Sequence, residues 1–189
     1  MADPAYIVNG TLTDGEAWVA IASAQPSSAD VQFVSTDDGQ VGDFSQYMDL
    51  VIICYARGVA SGTWKDIRVT FNNDTASNYA NEDLYGDGSS AGVQQTTPAY
   101  TGLAYIAAAG ASANVFSAVI YNIFDINSGK YKCCNTVSAA QDGNPDIIWT
   151  ETGTWKSQAA ITEIDLVTTS GFAAGSRFDL FGVLPRMVA

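Results

Sequence analysis

A period of two is the most regular pattern of hydrophobic and polar positions in this chain. In residues 66–71, Ile67, Val69 and Phe71 alternate with polar side chains, which is typical of a β-strand that buries one face. Similar segments recur between turns rich in Gly, Asn, Asp and Ser, and they predict strands at 17–24, 31–35, 50–55, 66–71, 93–97, 103–109, 115–124, 131–139, 147–155, 161–167 and 177–184. The one helical candidate, 77–84, spans about two turns at most.

These short strands predict an all-β fold, an antiparallel β-sandwich with a jelly-roll-like arrangement of two sheets. Parallel sheets are disfavoured because their crossovers need about a dozen residues and usually a helix. Two hairpins are predicted, one joining 103–109 to 115–124 and one joining 131–139 to 147–155. The segment 50–55 is continuously apolar, as expected of a strand covered on both faces.

The domain organisation follows from the distribution of polar residues. Residues 1–15 are polar and interrupted by glycine, which predicts a short N-terminal arm. Residues 16–189 then form a single jelly-roll-like domain, long enough to bury a core without disulfides or metals.

A long polar segment after Phe71 is the main candidate for a functional loop. Its first residues favour turns and tolerate left-handed backbone, and we expect Tyr79, Leu84 and Tyr85 to anchor it on the core. Oxygen-bearing side chains of the kind that bind calcium are frequent in it: Asn72, Asn73, Asp74, Asn78, Asp83 and Asp87. Their spacing matches no calcium loop, so turn chemistry is favoured, and neither a metal nor another cofactor is predicted.

Charge and cysteine content narrow the partners. The chain has 20 acidic and 8 basic residues, a net charge of -12, which disfavours nucleic acid and anionic membranes as partners. The chain contains no apolar run long enough to span a membrane, and its N-terminus does not resemble a signal peptide. Cys54, Cys133 and Cys134 are expected to be buried thiols, with a Cys54–Cys134 disulfide as the less favoured alternative.

Candidate catalytic residues are few. The chain has no histidine, which removes the usual base for a nucleophile and the commonest transition-metal ligand. Asp83 with Asp87, or Glu163 with Asp165, could form a glycosidase pair, but the second pair is also what any solvated strand face looks like. The tryptophans could stack on a sugar or belong to the core or a subunit interface, and Trp64 is expected to be the most exposed of Trp18, Trp64, Trp149 and Trp155.

Three segments, YMDL at 47–50, FNNDTASNY at 71–79 and SGFAAGSRFDLFG at 170–182, occur in an order that resembles a family of small virion structural proteins of tailed bacteriophages. The matching positions are Tyr47, Asp49, Leu50, Phe71, Asn72, Asp74, Asn78, Tyr79, Ser170, Gly171, Phe172, Ala173, Gly175, Ser176, Phe178, Leu180, Phe181 and Gly182. The third segment resembles a closing hairpin in which Gly171 and Gly175 allow positive φ and Phe172 folds inward towards Phe178. The acidic insert at 37–43 and the C-terminal PRMVA depart from the family pattern.

The resemblance implies a jelly-roll-like homotrimer on the virion surface, made in the cytoplasm of the bacterial host, and no enzyme. We expect a capsid decoration (cement) protein bound to the outer surface of the phage major capsid protein lattice, because the chain lacks the shaft of a fibre. The alternative is a head-fibre or tail-associated adhesin that binds a receptor such as a host surface glycan. An apolar interface is expected in the trimer, and the arm residues Tyr6, Ile7, Val8 and Leu12 are the expected capsid tether, acting by strand addition.

Overall fold

Strands form wherever the alternating pattern occurs, and they are almost all antiparallel. The computed structural model describes residues 7–8, 11–12, 18–140 and 146–184. Its strands are β1 (Ile7–Val8), β2 (Thr11–Leu12), β3 (Trp18–Ala24), β4 (Val31–Val34), β5 (Asp49–Ala56), β6 (Trp64–Phe71), β7 (Tyr79–Gly86), β8 (Ala91–Thr96), β9 (Thr101–Ala107), β10 (Ser117–Phe124), β11 (Lys132–Ala140), β12 (Ile147–Trp155), β13 (Glu163–Thr168) and β14 (Arg177–Val183). Within these described residues, one 3₁₀ turn occupies Phe44–Gln46.

The strand pairing is that of a jelly roll. Four antiparallel pairs are nested in sequence, β3 with β14, β4 with β13, β5 with β10 and β6 with β9. Rolling up such a nested set gives two facing sheets, in the orders β3-β14-β5-β10 and β4-β13-β6-β9. The predicted all-β, jelly-roll-like sandwich is therefore confirmed.

Two hairpin insertions enlarge one of the sheets. Strands β7 and β8 lie between β6 and β9 in the chain, and β11 and β12 lie between β10 and β13. Together they extend the first sheet to eight strands, in the order β3-β14-β5-β10-β11-β12-β7-β8. We call β7, β8, β11 and β12 the extension, and β3–β6, β13 and β14 the jelly-roll half. Strands β9 and β10 join the two regions.

The core of the jelly-roll half is apolar. Ile67, Val69 and Phe71 point inward from β6 and are fully buried, and Leu180 faces them from the opposite sheet. The period of two in residues 66–71 thus predicted the buried face correctly. The predicted pairing of 131–139 with 147–155 is also confirmed, in the β11–β12 register.

Several expectations about individual elements were wrong. Residues 77–84 are not helical, and Leu84 is exposed on β7 rather than anchored in the core. Ile53 and Tyr55 of β5 are exposed although Val51 on the same face is buried, so the apolar segment 50–55 is covered on both faces only at its start. Apolar runs do not distinguish a buried face from an exposed apolar face, because the period does not change.

Two predicted hairpins instead connect different sheets. Strand β9 lies in the four-stranded sheet and β10 in the eight-stranded sheet, and β13 and β14 are divided in the same way. The 108–116 connection is held by Arg57, whose guanidinium donates to the carbonyls of Ser112, Val115 and Ala111 at 2.8 to 2.9 Å. Side-chain bonds between distant segments can stabilise such a crossing, and they leave no local sequence signal.

The cysteines are all free, so the alternative disulfide is not formed. Cys54 and Cys134 are buried as expected, but Cys133 is exposed. In the part of the chain that the structure describes, no helix is long and apolar enough to cross a membrane.

Candidate functional site

The outer face of the eight-stranded sheet carries a continuous row of apolar side chains. The backbone register places these residues side by side on successive strands: Ile53, Ile120, Val137, Thr150, Leu84 and Val93. All except Thr150 are exposed large hydrophobics. At ~4.8 Å per strand the row is roughly 24 Å across. We call this row, together with the second row that lies beside it on the same side of the sheet, the outer apolar face.

A second row lies beside the first and is also uncharged. It contains Tyr55, Ala118, Ala139, Ile148 and Gly86, and Phe116 stacks on Tyr55 with ring centroids 5.2 Å apart. The outward positions of β10, β11 and β12 include no Asp, Glu, Lys or Arg. Charges on this face occur towards its margins, at Asp49 on β5, at Glu82 on β7 and at Arg177 and Asp179 on β14. An uncharged apolar area of this extent is a candidate interaction surface.

The inner face of the extension is polar where an apolar core is expected. Its buried residues include Asn81, Asp83, Thr136, Ser138 and Glu151. Asp83 on β7 and Glu151 on β12 lie directly opposite each other in the β7–β12 register. They are 0% and 1% exposed, so two carboxyl groups face each other in a dry interior.

Only part of this pair is hydrogen-bonded. Glu151 accepts from the Thr101 hydroxyl at 3.2 Å and from the Leu103 backbone N–H at 3.1 Å. Both carboxylate oxygens of Asp83, and Oδ1 of the neighbouring Asn81, are buried with no hydrogen-bond partner. Buried acceptors without a donor are costly, at about 1–3 kcal/mol each or more when charged.

The electrostatics of the pair follow from its burial. Burial, together with the nearby Asp83 carboxyl, raises the pKa of Glu151 to about 8. Burial also raises the pKa of Asp83, and the neighbouring Glu151 and Trp149 side chains offset part of that rise. None of the ion pairs formed by the described residues involves either acid. The buried Lys132 donates instead to the carbonyls of Ser128 and Lys130.

The 71–79 motif forms a closed hydrogen-bonded turn. Asn72 and Asn73 adopt positive φ, as their residue types predicted. Asp74 accepts from Trp155 Nε1 at 2.7 Å and from Asn78 at 2.9 Å. The Tyr79 hydroxyl donates to the Asp74 carbonyl and accepts from the Phe71 N–H. Since Asp87 is likewise bonded to Ser89 and Ser90, which lowers its pKa to about 2, these acids stabilise turns.

The 170–182 motif closes one end of the sandwich. Gly171 and Gly175 have φ of 83° and 91°, as the sequence predicted. Phe172 and Phe178 are fully buried, and their rings meet edge to face at 4.7 Å. A side chain at Gly171 would collide with the Ser28 carbonyl. The motif therefore fixes the crossing between β13 and β14.

The remaining candidates are dispersed. Asp83 is buried while Asp87 lies in the following turn, so they form no glycosidase pair. Glu163 and Asp165 both accept from the Gln32 amide on an exposed face, as a solvated strand face does.

The tryptophans and the N-terminal arm residues are the other positions that the sequence singled out. Trp18, not Trp64, is the most exposed tryptophan, and Trp149 and Trp155 are buried. Ile7, Val8 and Leu12 of the arm lie in the β1–β2 hairpin. Tyr6 lies outside the described residues.

Sequence reasoning missed Glu151, Asn81 and Thr101. A signal for Glu151 exists, because in IIWTETGTW it shares one strand face with Ile147, Trp149 and Trp155. A carboxylate among bulky apolar residues at a period of two indicates a buried acid. Asn81 and Thr101 carry no comparable signal, since their proximity depends on the packing of β9 against the extension.

Comparison with known proteins adds no family. No protein-family model and no curated protein matches this chain. Among the described residues, no group of three or more His, Cys, Asp or Glu is placed to hold a metal ion.

Proposed function

We propose that this protein is a non-catalytic structural subunit of a phage virion, a decoration protein that binds the outer surface of the major capsid protein lattice as a homotrimer. The observation that carries the proposal is the outer apolar face. A monomer gains nothing from exposing Ile120, Val137 and Ile148 on one uncharged surface, whereas a subunit interface buries them.

Charge indicates a second copy of this chain as the partner on this face. Each copy carries a net charge of -12, so two copies repel wherever their charged surfaces meet. Strands β10 to β12 offer the surface on which that repulsion is weakest, because their outward positions are uncharged. A basic partner would instead be attracted to the acidic parts of the molecule. The order of the three motifs, which resembles that of phage virion proteins, supports the same proposal.

The assembly is tested by a matched pair of valine substitutions. Val137 on the outer apolar face and Val34 on the opposite sheet are 55% and 54% exposed. We expect the wild type and Val34→Lys to sediment as trimers in analytical ultracentrifugation, and Val137→Lys to sediment as a folded monomer. A wild-type monomer at all concentrations would overturn the trimer, and a Val137→Lys variant that still sediments as a trimer would overturn the outer apolar face as its interface.

The capsid location is tested with undecorated capsids and a truncated chain. The arm is proposed to be the principal tether, so deletion of residues 2–15 should sharply reduce occupancy on the lattice while the sandwich stays folded. Occupancy equal to that of the full chain would overturn the tether. Binding only at tail or fibre vertices would overturn the decoration role in favour of an adhesin.

A further inference from the structure

The interior of the extension contains a cluster of oxygen atoms with no counter-charge. On the inner face, Asp83 pairs with Glu151, and Asn81 pairs with Gly153, in adjacent positions of the β7–β12 register. Gly153 has no side chain, and the Thr101 hydroxyl occupies the position above its Cα. A Cβ there would lie 1.8 Å from Thr101 Oγ1, 2.7 Å from Asn81 Oδ1 and 3.1 Å from Glu151 Oε1. Oxygens from three strands therefore converge on one position.

The orientation of these oxygens is fixed by bonds outside the cluster. The Asn81 amide nitrogen donates to the Tyr100 carbonyl at 3.1 Å, which leaves Oδ1 directed inward and unpartnered. Asp83 is fully buried, and neither of its oxygens has a hydrogen-bond partner in bonding geometry. The indole N–H of Trp149 lies beside Asp83 and is itself buried and unpartnered, so it offers one N–H for three unpartnered oxygens of Asp83 and Asn81.

We propose that Asp83, Glu151, Asn81 and Thr101 form a buried calcium site. The four side chains offer two oxygens each from Asp83 and Glu151, one from Asn81 and one from Thr101. Calcium takes six to eight oxygen ligands in flexible geometry, whereas magnesium usually retains several waters. A divalent cation also neutralises both carboxylates, while a single shared proton leaves one buried negative charge.

The site differs from the polar segment after Phe71, whose oxygen-bearing side chains were the calcium candidates in the sequence. Of the six calcium candidates that the sequence offered in 72–87, only Asp83 belongs to it, and its other ligands are Asn81 of β7, Thr101 of β9 and Glu151 of β12. It lies on the inner face, away from the outer apolar face, so it does not depend on the proposed assembly.

The test removes calcium through the unfolded state, because the buried site is closed to solvent. The full-length protein is unfolded in urea with a chelator and refolded with calcium, magnesium or chelator alone. Calcium at about a hundred times its dissociation constant should raise the Tm by about 5 to 10 °C, and magnesium should raise it less. Terbium in place of calcium should luminesce on tryptophan excitation, since the Trp149 indole is adjacent to Asp83.

The variants separate this site from surface carboxylates. Asp83→Asn should lose the calcium shift, whereas Glu82→Gln, the exposed neighbour on the same strand, should keep it. Thr101→Val should weaken calcium binding by about tenfold or more, and it provides a readout if Asp83→Asn does not fold. An unchanged shift in both Asp83→Asn and Thr101→Val would overturn the site. If calcium does not change the Tm of the wild type and its stability falls between pH 5 and 8, the acid pair shares a proton and binds no ion.

Discussion

The jelly-roll half buries mainly apolar residues, whereas the extension buries acidic and polar residues beside its apolar ones. In the jelly-roll half, Ile67 and Leu166 point into the core and Arg68 and Asp165 point outward. In the extension, Asp83 and Glu151 point inward while Leu84 and Ile148 point to solvent. The first pattern, with apolar side chains inside and charged side chains outside, is expected of a chain that folds alone. The second agrees with the proposals that another copy covers the outer face and that a cation is bound in the interior.

The difference shows that a period of two fixes a strand but not the environment of each face. A sheet face is buried because of what packs on it, and β9 packs against the inner face of the extension as it does beside the apolar core. The predictions below contrast the two regions, in order of expected effect.

The largest effect is expected for Leu180→Ala in the jelly-roll half. Leu180 is 0% exposed, so truncation removes apolar contacts and leaves a cavity. We expect the free energy of unfolding to fall by about 2–5 kcal/mol, measured by urea denaturation. A loss below about 1 kcal/mol would mean that this region is not the stabilising core.

The next largest effect is expected in the pH dependence of stability that Asp83 and Glu151 cause when a chelator is present. The pKa of Glu151 in the folded protein is about 8, above its ordinary value of 4.5. Its favourable contribution to the free energy of unfolding is therefore complete below pH 4.5 and is lost as the pH rises to 8. We expect stability to decline by up to about 1.4 kcal/mol per pH unit in this window. Glu151→Gln should flatten the decline, and saturating calcium should also remove it.

The other titratable groups that face Asp83 and Glu151 do not account for a decline in stability between pH 4.5 and 8. Tyr121 and Cys134 have raised pKa values because they are buried, and Tyr100 is raised mainly for the same reason. They titrate above the window, and Glu82 is controlled by the Glu82→Gln variant. A wild-type stability that rises between pH 5 and 8 in chelator would contradict the prediction.

A smaller effect is expected where the two regions are joined. Trp155 of the extension donates to Asp74, in the turn that follows β6 of the jelly-roll half, at 2.7 Å. Trp155→Phe removes this charge-assisted bond and should cost about 1.5–3 kcal/mol. Asp74→Asn keeps an acceptor and should cost less. Equal losses in the two variants would show that the charge of the Asp74 carboxylate, rather than the presence of an acceptor, carries the effect.

The smallest effect on stability is expected for Leu84→Ala, the counterpart of Leu180→Ala. Leu84 is 54% exposed, so the isolated monomer should change by less than about 0.5 kcal/mol. Its cost should appear in the dissociation constant of the trimer, measured by sedimentation. A loss as large as that of Leu180→Ala in a monomeric background would remove the contrast between the regions.

The sequence by itself determined the strands and several turns. The alternation in 66–71, the left-handed Asn72 and Asn73, and the positive φ of Gly171 and Gly175 are local properties, set by sterics and by side-chain to backbone bonds within a few residues. The same local information misassigned residues 77–84, because Asn, Glu and Asp on both sides of a strand hide its period.

Only the tertiary structure decided which strands share a sheet and which faces are covered. The β9–β10 and β13–β14 connections cross between sheets because Arg57 and the Phe172–Phe178 contact hold them there. The meeting of Asp83, Glu151, Asn81 and Thr101 depends on the register of β7 with β12 and on β9 packing over Gly153. Such contacts join residues far apart in the chain, and their energies depend on distances that no local pattern encodes.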